Sequence, residues 1–182
     1  MYAIVDIETT GGNAGSGRIT EIAIVITDGK QVLDRFTSLV NPMQPIPVYI
    51  EKLTGITDAM VSQAPTFGQI ANEVHTLLQD KIFVAHNVNF DYSFIAHQLN
   101  QQGFKINSRK LCTVRLSRKV FEDLDSYSLG NLCRSLDIQV NNRHRALGDA
   151  EATTKLFHLI IEADRGLLIK SMLKKGSGDA YL

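Results

Sequence analysis

The sequence predicts an α/β protein in which a mixed sheet of five strands is flanked by helices. Three segments rich in β-branched residues follow one another at the start and are separated by glycine-containing breaks, which is typical of an antiparallel meander. After them, segments with helical periodicity alternate with two short apolar segments, which is typical of strands that join a sheet in parallel.

The meander is predicted from strands at 2–10, 19–27 and 31–40. The glycine-rich segment 11–17 is expected to form the loop between the first two strands, and Asp28-Gly29 is a hairpin turn signal between the second and third. A short helix is predicted at 48–54, because Gly55 can close it in the left-handed conformation.

The alternating half begins with Thr66 and Gln69, which have the spacing of a capping box and predict a helix that ends near Leu78. Strands are predicted at 82–86 and 111–113, with a helix at 90–102 between them that stops at Gly103. Three more helices are predicted at 114–120, 128–136 and 146–163 from their apolar periodicity. Residues 1–168 are therefore expected to form one domain, and 169–182 a tail or the start of a linker.

Composition narrows the class of protein. The chain has 182 residues and a formal net charge of zero, which argues against a protein that holds nucleic acid by bulk charge. Cys112 and Cys133 have no C-x-x-C neighbour, so neither a zinc site nor a disulfide framework is indicated. No signal peptide or membrane-spanning apolar run is visible, and a cytoplasmic location without membrane contact is expected.

The first strand carries two acidic residues, Asp6 and Glu8, on the same face, because side chains alternate along a strand. Carboxylates about 7 Å apart along a strand are costly in a core unless a positive charge lies between them. A divalent metal ion is the usual solution, since hard cations prefer carboxylate oxygens.

Two more acidic residues and one histidine occupy comparable positions. Asp91 opens the helix after the fourth strand, and Asp149 lies in the first turns of the last helix. The plainer explanation of Asp91 is a first-turn or capping residue that complements the helix dipole, and that of His144 and Asp149 is a solvent-exposed histidine and a solvated aspartate. His144 lies five residues before Asp149, so the two can serve one site only if His144 is on the loop before the helix.

Taken together, four carboxylates, no suitable cysteine and one histidine favour Mg²⁺ or Mn²⁺ over zinc. Two such ions can flank a phosphodiester, where one activates water and the other stabilises the leaving oxygen. His144 has a side chain of the type that accepts a proton near neutral pH, so it is the candidate general base.

The three segments Asp6-Ile7-Glu8-Thr9-Thr10, His86-Asn87-Val88-Asn89-Phe90-Asp91 and His144-Arg145-Ala146-Leu147-Gly148-Asp149 resemble the three motifs of the DEDDh branch of DnaQ-like 3′–5′ exonucleases. This family includes the proofreading epsilon subunit of the bacterial replicative polymerase. The resemblance covers about residues 2–163, and none of the five catalytic positions departs from the pattern.

The resemblance implies a ribonuclease H-like fold and the release of nucleoside 5′-monophosphates from a 3′ end. It assigns Asp6 to both metal ions, Glu8 and Asp149 to the tighter site, and Asp91 to the second ion largely through water. It makes His144 the general base.

Substrate contacts are also implied by the resemblance. The backbone at Thr10 is expected to meet the 3′ hydroxyl, and Leu53 and Ile56 to pack against the terminal bases. The alternative for Leu53 and Ile56 is that both are core residues beside a helix stop. Arg143 and Arg145, which flank the histidine, can track phosphates or belong to a solvated face.

The predicted function is metal-dependent 3′–5′ exonuclease activity on single-stranded or frayed DNA ends, in proofreading or repair. An RNA or small-oligonucleotide exonuclease would use the same catalytic residues, and a non-catalytic polymerase-docking module is an alternative of a different class. Because the net charge is zero, weak and salt-sensitive DNA binding is expected, with recruitment by a polymerase subunit or a clamp.

Overall fold

The computed structural model describes residues 1–141, 143–165 and 167–174. Its sheet has five strands in the order β3-β2-β1-β4-β5. The first three strands pair antiparallel, whereas β4 pairs parallel to β1, and β5 pairs parallel to β4. The strands are β1 (Tyr2–Thr9), β2 (Ile19–Thr27), β3 (Val32–Leu39), β4 (Ile82–Ala85) and β5 (Lys110–Cys112). The predicted meander and mixed five-stranded sheet are confirmed.

Eight helices lie among the described residues. They are α1 (Val48–Thr54), α2 (Asp58–Val61), α3 (Phe67–Leu78), α4 (Val88–Gln101), α5 (Thr113–Val120), α6 (Leu129–Ser135), α7 (Ala146–Ala163) and α8 (Leu167–Lys174). Gly55 ends α1 at φ 72°, and Thr66 and Gln69 form the predicted capping box of α3. None of these helices is both long and apolar enough to cross a membrane.

Hydrophobic cores cover both faces of the sheet. Ala3, Val5 and Ile7 of β1 belong to the core on the side of α3 and α4, whereas Ile4 belongs to the core beneath α7. Because side chains alternate along a strand, Asp6 and Glu8 follow Ile4 onto the α7 side. The alternation therefore directs both acidic side chains towards the helix that carries Asp149.

Two boundaries differ from the sequence expectation. Helix α4 begins at Val88 rather than at 90, because Asn87 adopts a left-handed conformation, φ 77°, that turns the chain sharply after β4. Helix α8 crosses the expected domain boundary at 168/169, and Ile169 is buried in the core beneath α7. The rest of the expected tail, residues 175–182, lies outside the described residues.

Candidate active site

Three of the predicted acidic side chains meet at one place. Oxygen atoms of Asp6 and Glu8, from β1, and of Asp149, from the first turn of α7, all lie within 4.8 Å of one another. Asp149 Oδ2 accepts a hydrogen bond of 3.0 Å from the backbone N–H of His144. Asp149 Oδ1 is buried and has no hydrogen-bond partner among the described residues. A buried carboxylate oxygen that lacks a hydrogen-bond donor is costly unless a cation binds it.

Asp91 approaches the same strand from α4. Asp91 is 4 % exposed, and this burial raises the pKa of its carboxyl group well above the usual range, although the backbone N–H groups of Asp91 itself and of Ile7 oppose the shift. Its carboxylate is the neighbouring charge that most strongly affects Asp6, although Asp91 stands outside the three-carboxylate group. The predicted role of Asp91 towards a second ion stays a prediction.

The electrostatics of the group favour a divalent cation. Burial, followed by repulsion from Asp91, Asp149 and Glu8, raises the pKa of Asp6 well above its usual range. Burial and then Asp149 raise the pKa of Glu8 to about 7, and burial also raises the pKa of Asp149. Carboxylates that repel one another in a partly buried site are strong ligands for a hard cation, which offsets their charge. The residues present therefore fit a divalent metal ion.

His144 lies on the loop before α7, where the sequence argument required it to be. It adopts a left-handed backbone conformation, φ 61°, which is uncommon outside glycine. This conformation directs its N–H back to Asp149. The backbone of the candidate base therefore helps to hold one of the candidate metal ligands.

The three residues predicted to contact the substrate lie in different environments in the structure. Leu53 is 54 % exposed, so its predicted contact with bases stays a prediction. Ile56 is fully buried in a small core with α1 and α2, and because a buried side chain cannot stack on a base, that part of the prediction is wrong. Thr10 donates its backbone N–H to the Arg18 carbonyl, and its hydroxyl oxygen accepts from Gln44 Nε2. Any contact of the Thr10 backbone with a 3′ hydroxyl must therefore use a group other than this N–H.

Glu21 is a residue of the site region that the sequence argument missed. It lies opposite Glu8 in the β1–β2 pairing and is 5 % exposed. Arg145 donates to both of its oxygens, at 2.7 Å from Nη2 and at 3.2 and 3.1 Å from Nε. Arg145 is thus paired with Glu21, so its guanidinium group is not a free phosphate contact, although its side chain is partly exposed. The available signal was a single acid in the otherwise uncharged strand 19–27.

His86, at the start of the second motif, holds the loops beneath the site together. Its Nδ1 lies 2.9 Å from Thr113 Oγ1, and its Nε2 lies 3.1 Å from the Tyr127 carbonyl. Burial lowers the pKa of His86 to about 4, so the ring is neutral at pH 7, with its proton on Nε2 for the carbonyl. His86 therefore has a structural role.

Comparison with known proteins gives one consistent result. The family model described as Exonuclease (RNase_T) matches residues 3–157. The 3′-5′ exonuclease DinG of Bacillus subtilis is 39% identical over 91% of this chain, but the chain spans only 18% of that protein. The DNA polymerase III subunit epsilon of Aquifex aeolicus is 35% identical over 99% of this chain and 86% of its own length.

A solved structure has the same fold. Exonuclease X in complex with 5′ overhanging duplex DNA superimposes with a TM-score of 0.75 at 27% identity, and the match covers 91% of this chain and 93% of that one. The ribonuclease H-like fold is confirmed, and the three-carboxylate group agrees with the dependence of this family on a divalent metal. The chain belongs to the Exonuclease (RNase_T) family, as its three motifs predict.

Proposed function

We propose that this exonuclease domain hydrolyses DNA stepwise from the 3′ end and releases nucleoside 5′-monophosphates. The observation that carries the proposal is the meeting of Asp6, Glu8 and Asp149 within 4.8 Å, with the buried Oδ1 of Asp149 lacking a donor. Such a group has little structural use, because it destabilises the folded chain unless a cation binds.

The metal ions are proposed to be Mg²⁺ or Mn²⁺, two in each site. Oxygen ligands without cysteine or histidine suit these hard cations. Asp6, Glu8 and Asp149 would hold one ion, and Asp6 with Asp91 the other. When bound, the two ions supply a water of lowered pKa and stabilisation of the leaving oxygen.

The side chains of the chain itself supply the proton transfer. His144 is partly buried on the loop before α7, so it can reach solvent. A positive charge on its ring would lower the pKa of Asp149, which shows that the ring is near this carboxylate. A neutral imidazole nitrogen can accept the proton of the attacking water and later release it to solvent. His86 is held neutral by burial and bonded through both ring nitrogens, so it does not compete for this role.

The end of the DNA strand is proposed to lie against α1. Gln44 joins the segment before α1 to Thr10, just after the acidic pair of β1, so α1 lies at the edge of the site. On this helix Val48, Tyr49 and Leu53 are exposed apolar residues. Apolar and aromatic side chains bind bases of any sequence by stacking, which suits an enzyme that removes every nucleotide in turn.

The biological setting is proposed to be proofreading or repair in the cytoplasm. The Aquifex relative, which matches over most of both chains, is named a polymerase III subunit, so a polymerase is the first partner to test. A sliding clamp is an alternative route of recruitment.

The decisive experiment is a gel time course. We would incubate 5′-labelled single-stranded DNA and RNA of one sequence with the protein and Mg²⁺ or Mn²⁺, with Asp6→Ala as the inactive control. The proposal predicts a ladder that shortens from the 3′ end on DNA and is absent with the control. A ladder mainly on RNA would assign the site to RNA trimming. No ladder on either substrate would favour a non-catalytic polymerase-docking module.

A further inference from the structure

We infer that Glu21 and Arg145 form a clasp that positions Asp149 and thereby preassembles the metal site, although neither residue is a metal ligand. The inference rests on the proposed metal-dependent function and adds two positioning residues to it. It begins from Glu21, a carboxylate that is 5 % exposed at the edge of the acidic group.

Glu21 has no oxygen left for a metal. Both of its oxygens accept from Arg145, and Oε2 also accepts from the backbone N–H of Ala146 at 2.9 Å. It lies outside the group formed by Asp6, Glu8 and Asp149. A buried carboxylate with three such donors is held in place by them, and it holds the donors in place in return.

The donors belong to the start of α7. Arg145 is the residue that precedes the helix, and its own side chain makes no capping bond. The N–H of Ala146, the first residue of α7, is one of the groups that a helix cannot satisfy internally. Glu21, on β2, satisfies it from 125 residues away in sequence and so fixes the start of the helix to the sheet.

Asp149 follows within one helical turn. Its backbone N–H donates to the Arg145 carbonyl at 3.1 Å, and its Oδ2 accepts from His144. Because Glu21 pairs with Glu8 across the β1–β2 register, the clasp anchors α7 directly beside the strand that carries the other ligands. Loss of the clasp would let Asp149 and His144 move away from that strand together.

The test measures Mn²⁺ binding by calorimetry without DNA, and then kcat and KM for single-stranded DNA at rising Mn²⁺. In Glu21→Gln the amide NH₂ group faces the donors of Arg145 and Ala146, so the clasp opens while the side-chain shape is kept. We expect the Kd for Mn²⁺ to rise roughly 10- to 100-fold, as on loss of other ligand-orienting partners. At saturating Mn²⁺ kcat should recover towards the wild-type value with KM for DNA unchanged.

Arg145→Met separates positioning from simple electrostatics. Removing a positive charge beside a cation site would tighten Mn²⁺ binding if charge alone mattered, whereas the clasp predicts weaker binding. The double variant Glu21→Gln/Arg145→Met should bind Mn²⁺ about as weakly as the single variants, because each single change already breaks the clasp. If Glu21→Gln does not fold, the Mn²⁺ affinities of Arg145→Met and of the double variant still test the clasp.

Glu151→Gln is the matched control. Glu151 also joins α7 to the sheet, through a 3.0 Å pair with Arg35 of β3, but this pair is exposed. Residues two apart on a helix do not face each other, so Glu151 and Asp149 point to different sides of α7. Loss of the pair should leave the Kd for Mn²⁺ unchanged. Wild-type Mn²⁺ affinity in Glu21→Gln, tighter binding in Arg145→Met, or equal weakening in Glu151→Gln would each overturn the clasp. A wild-type protein that binds no Mn²⁺ would overturn the proposed function, and the clasp with it.

Discussion

Replacing Glu8 by glutamine is expected to stabilise the metal-free protein at alkaline pH while removing a proposed metal ligand. Burial, then Asp149 and Glu21, raises the pKa of Glu8 from 4.5 to about 7. At about 1.4 kcal/mol for each tenfold change in proton affinity, ionising Glu8 costs the folded state at most about 3 kcal/mol. This is an upper bound, because the side chain is partly exposed and solvent screens it.

The pH dependence has a definite sign. Because the pKa is raised, the folded chain binds this proton more tightly than the unfolded chain between pH 4.5 and about 7. The contribution of Glu8 to the free energy of unfolding therefore falls as the pH rises through this window and is constant above it. The contribution of His86 to the free energy of unfolding has the opposite pH trend, because its pKa is lowered from 6.5 to about 4. This contribution is lost as the pH falls from 6.5 towards about 4. His86 is present in both proteins, so its contribution cancels in their difference.

The assay is urea unfolding in EDTA, followed by circular dichroism, for wild type and Glu8→Gln at about pH 5 and about pH 8. The variant should be more stable by about 1 kcal/mol or less at the lower pH and by up to about 3 kcal/mol at the higher pH. Glu73→Gln, which removes an exposed carboxylate from α3, should change stability by less than about 0.5 kcal/mol. A Glu8→Gln difference that does not grow with pH would refute the electrostatic account of the site.

Three further predictions test other parts of the structure. Ile56→Ala should lower the free energy of unfolding by about 2–5 kcal/mol, whereas Leu53→Ala should change it by less than about 0.5 kcal/mol. Leu53→Ala should instead raise KM for DNA, and an unchanged KM would exclude the contact between Leu53 and the bases. His144→Ala should lower kcat about 10²–10⁴-fold at saturating Mn²⁺, and a near-wild-type rate in steady-state assays would remove its role as the base. Gly17→Ala should lower the free energy of unfolding, measured in urea, by about 1–3 kcal/mol, because the added Cβ would lie 2.9 Å from a backbone oxygen. A Cβ added at Gly11 meets nothing within 4 Å, so Gly11→Ala is the control. Equal stability of the two alanine variants would contradict this packing.

Local rules account for the parts of the fold that the sequence predicts well. Gly55 ends α1, and Thr66 with Gln69 begins α3, through bonds that span only a few residues. The alternation of β1 likewise places Asp6 and Glu8 on one face without reference to any distant segment. Features of this kind follow from the sequence because both partners lie in one short stretch.

The features that the sequence did not predict depend on distant partners. Glu21 and Arg145 are 124 residues apart, and nothing near either residue identifies the other. Ile56 follows a helix stop, where an apolar residue can face solvent or core equally well, and only the packing of α1 and α2 decides that it is buried. Three-dimensional packing therefore decides which predicted residues meet at the acidic group and which belong to the core.

The position of β1 in the middle of the sheet determines which parts of the protein unfold first on warming. β1 pairs with β2 along its whole length and with β4 from Tyr2 to Ile4, so its hydrogen-bonded amide protons should exchange with solvent only when these strands separate. His144, on a loop outside the sheet, depends on fewer such bonds and can detach in a smaller opening. On warming, the proposed general base His144 should leave the site before the strand with Asp6 and Glu8 separates from the sheet. Heat inactivation below the melting temperature should then reverse on cooling.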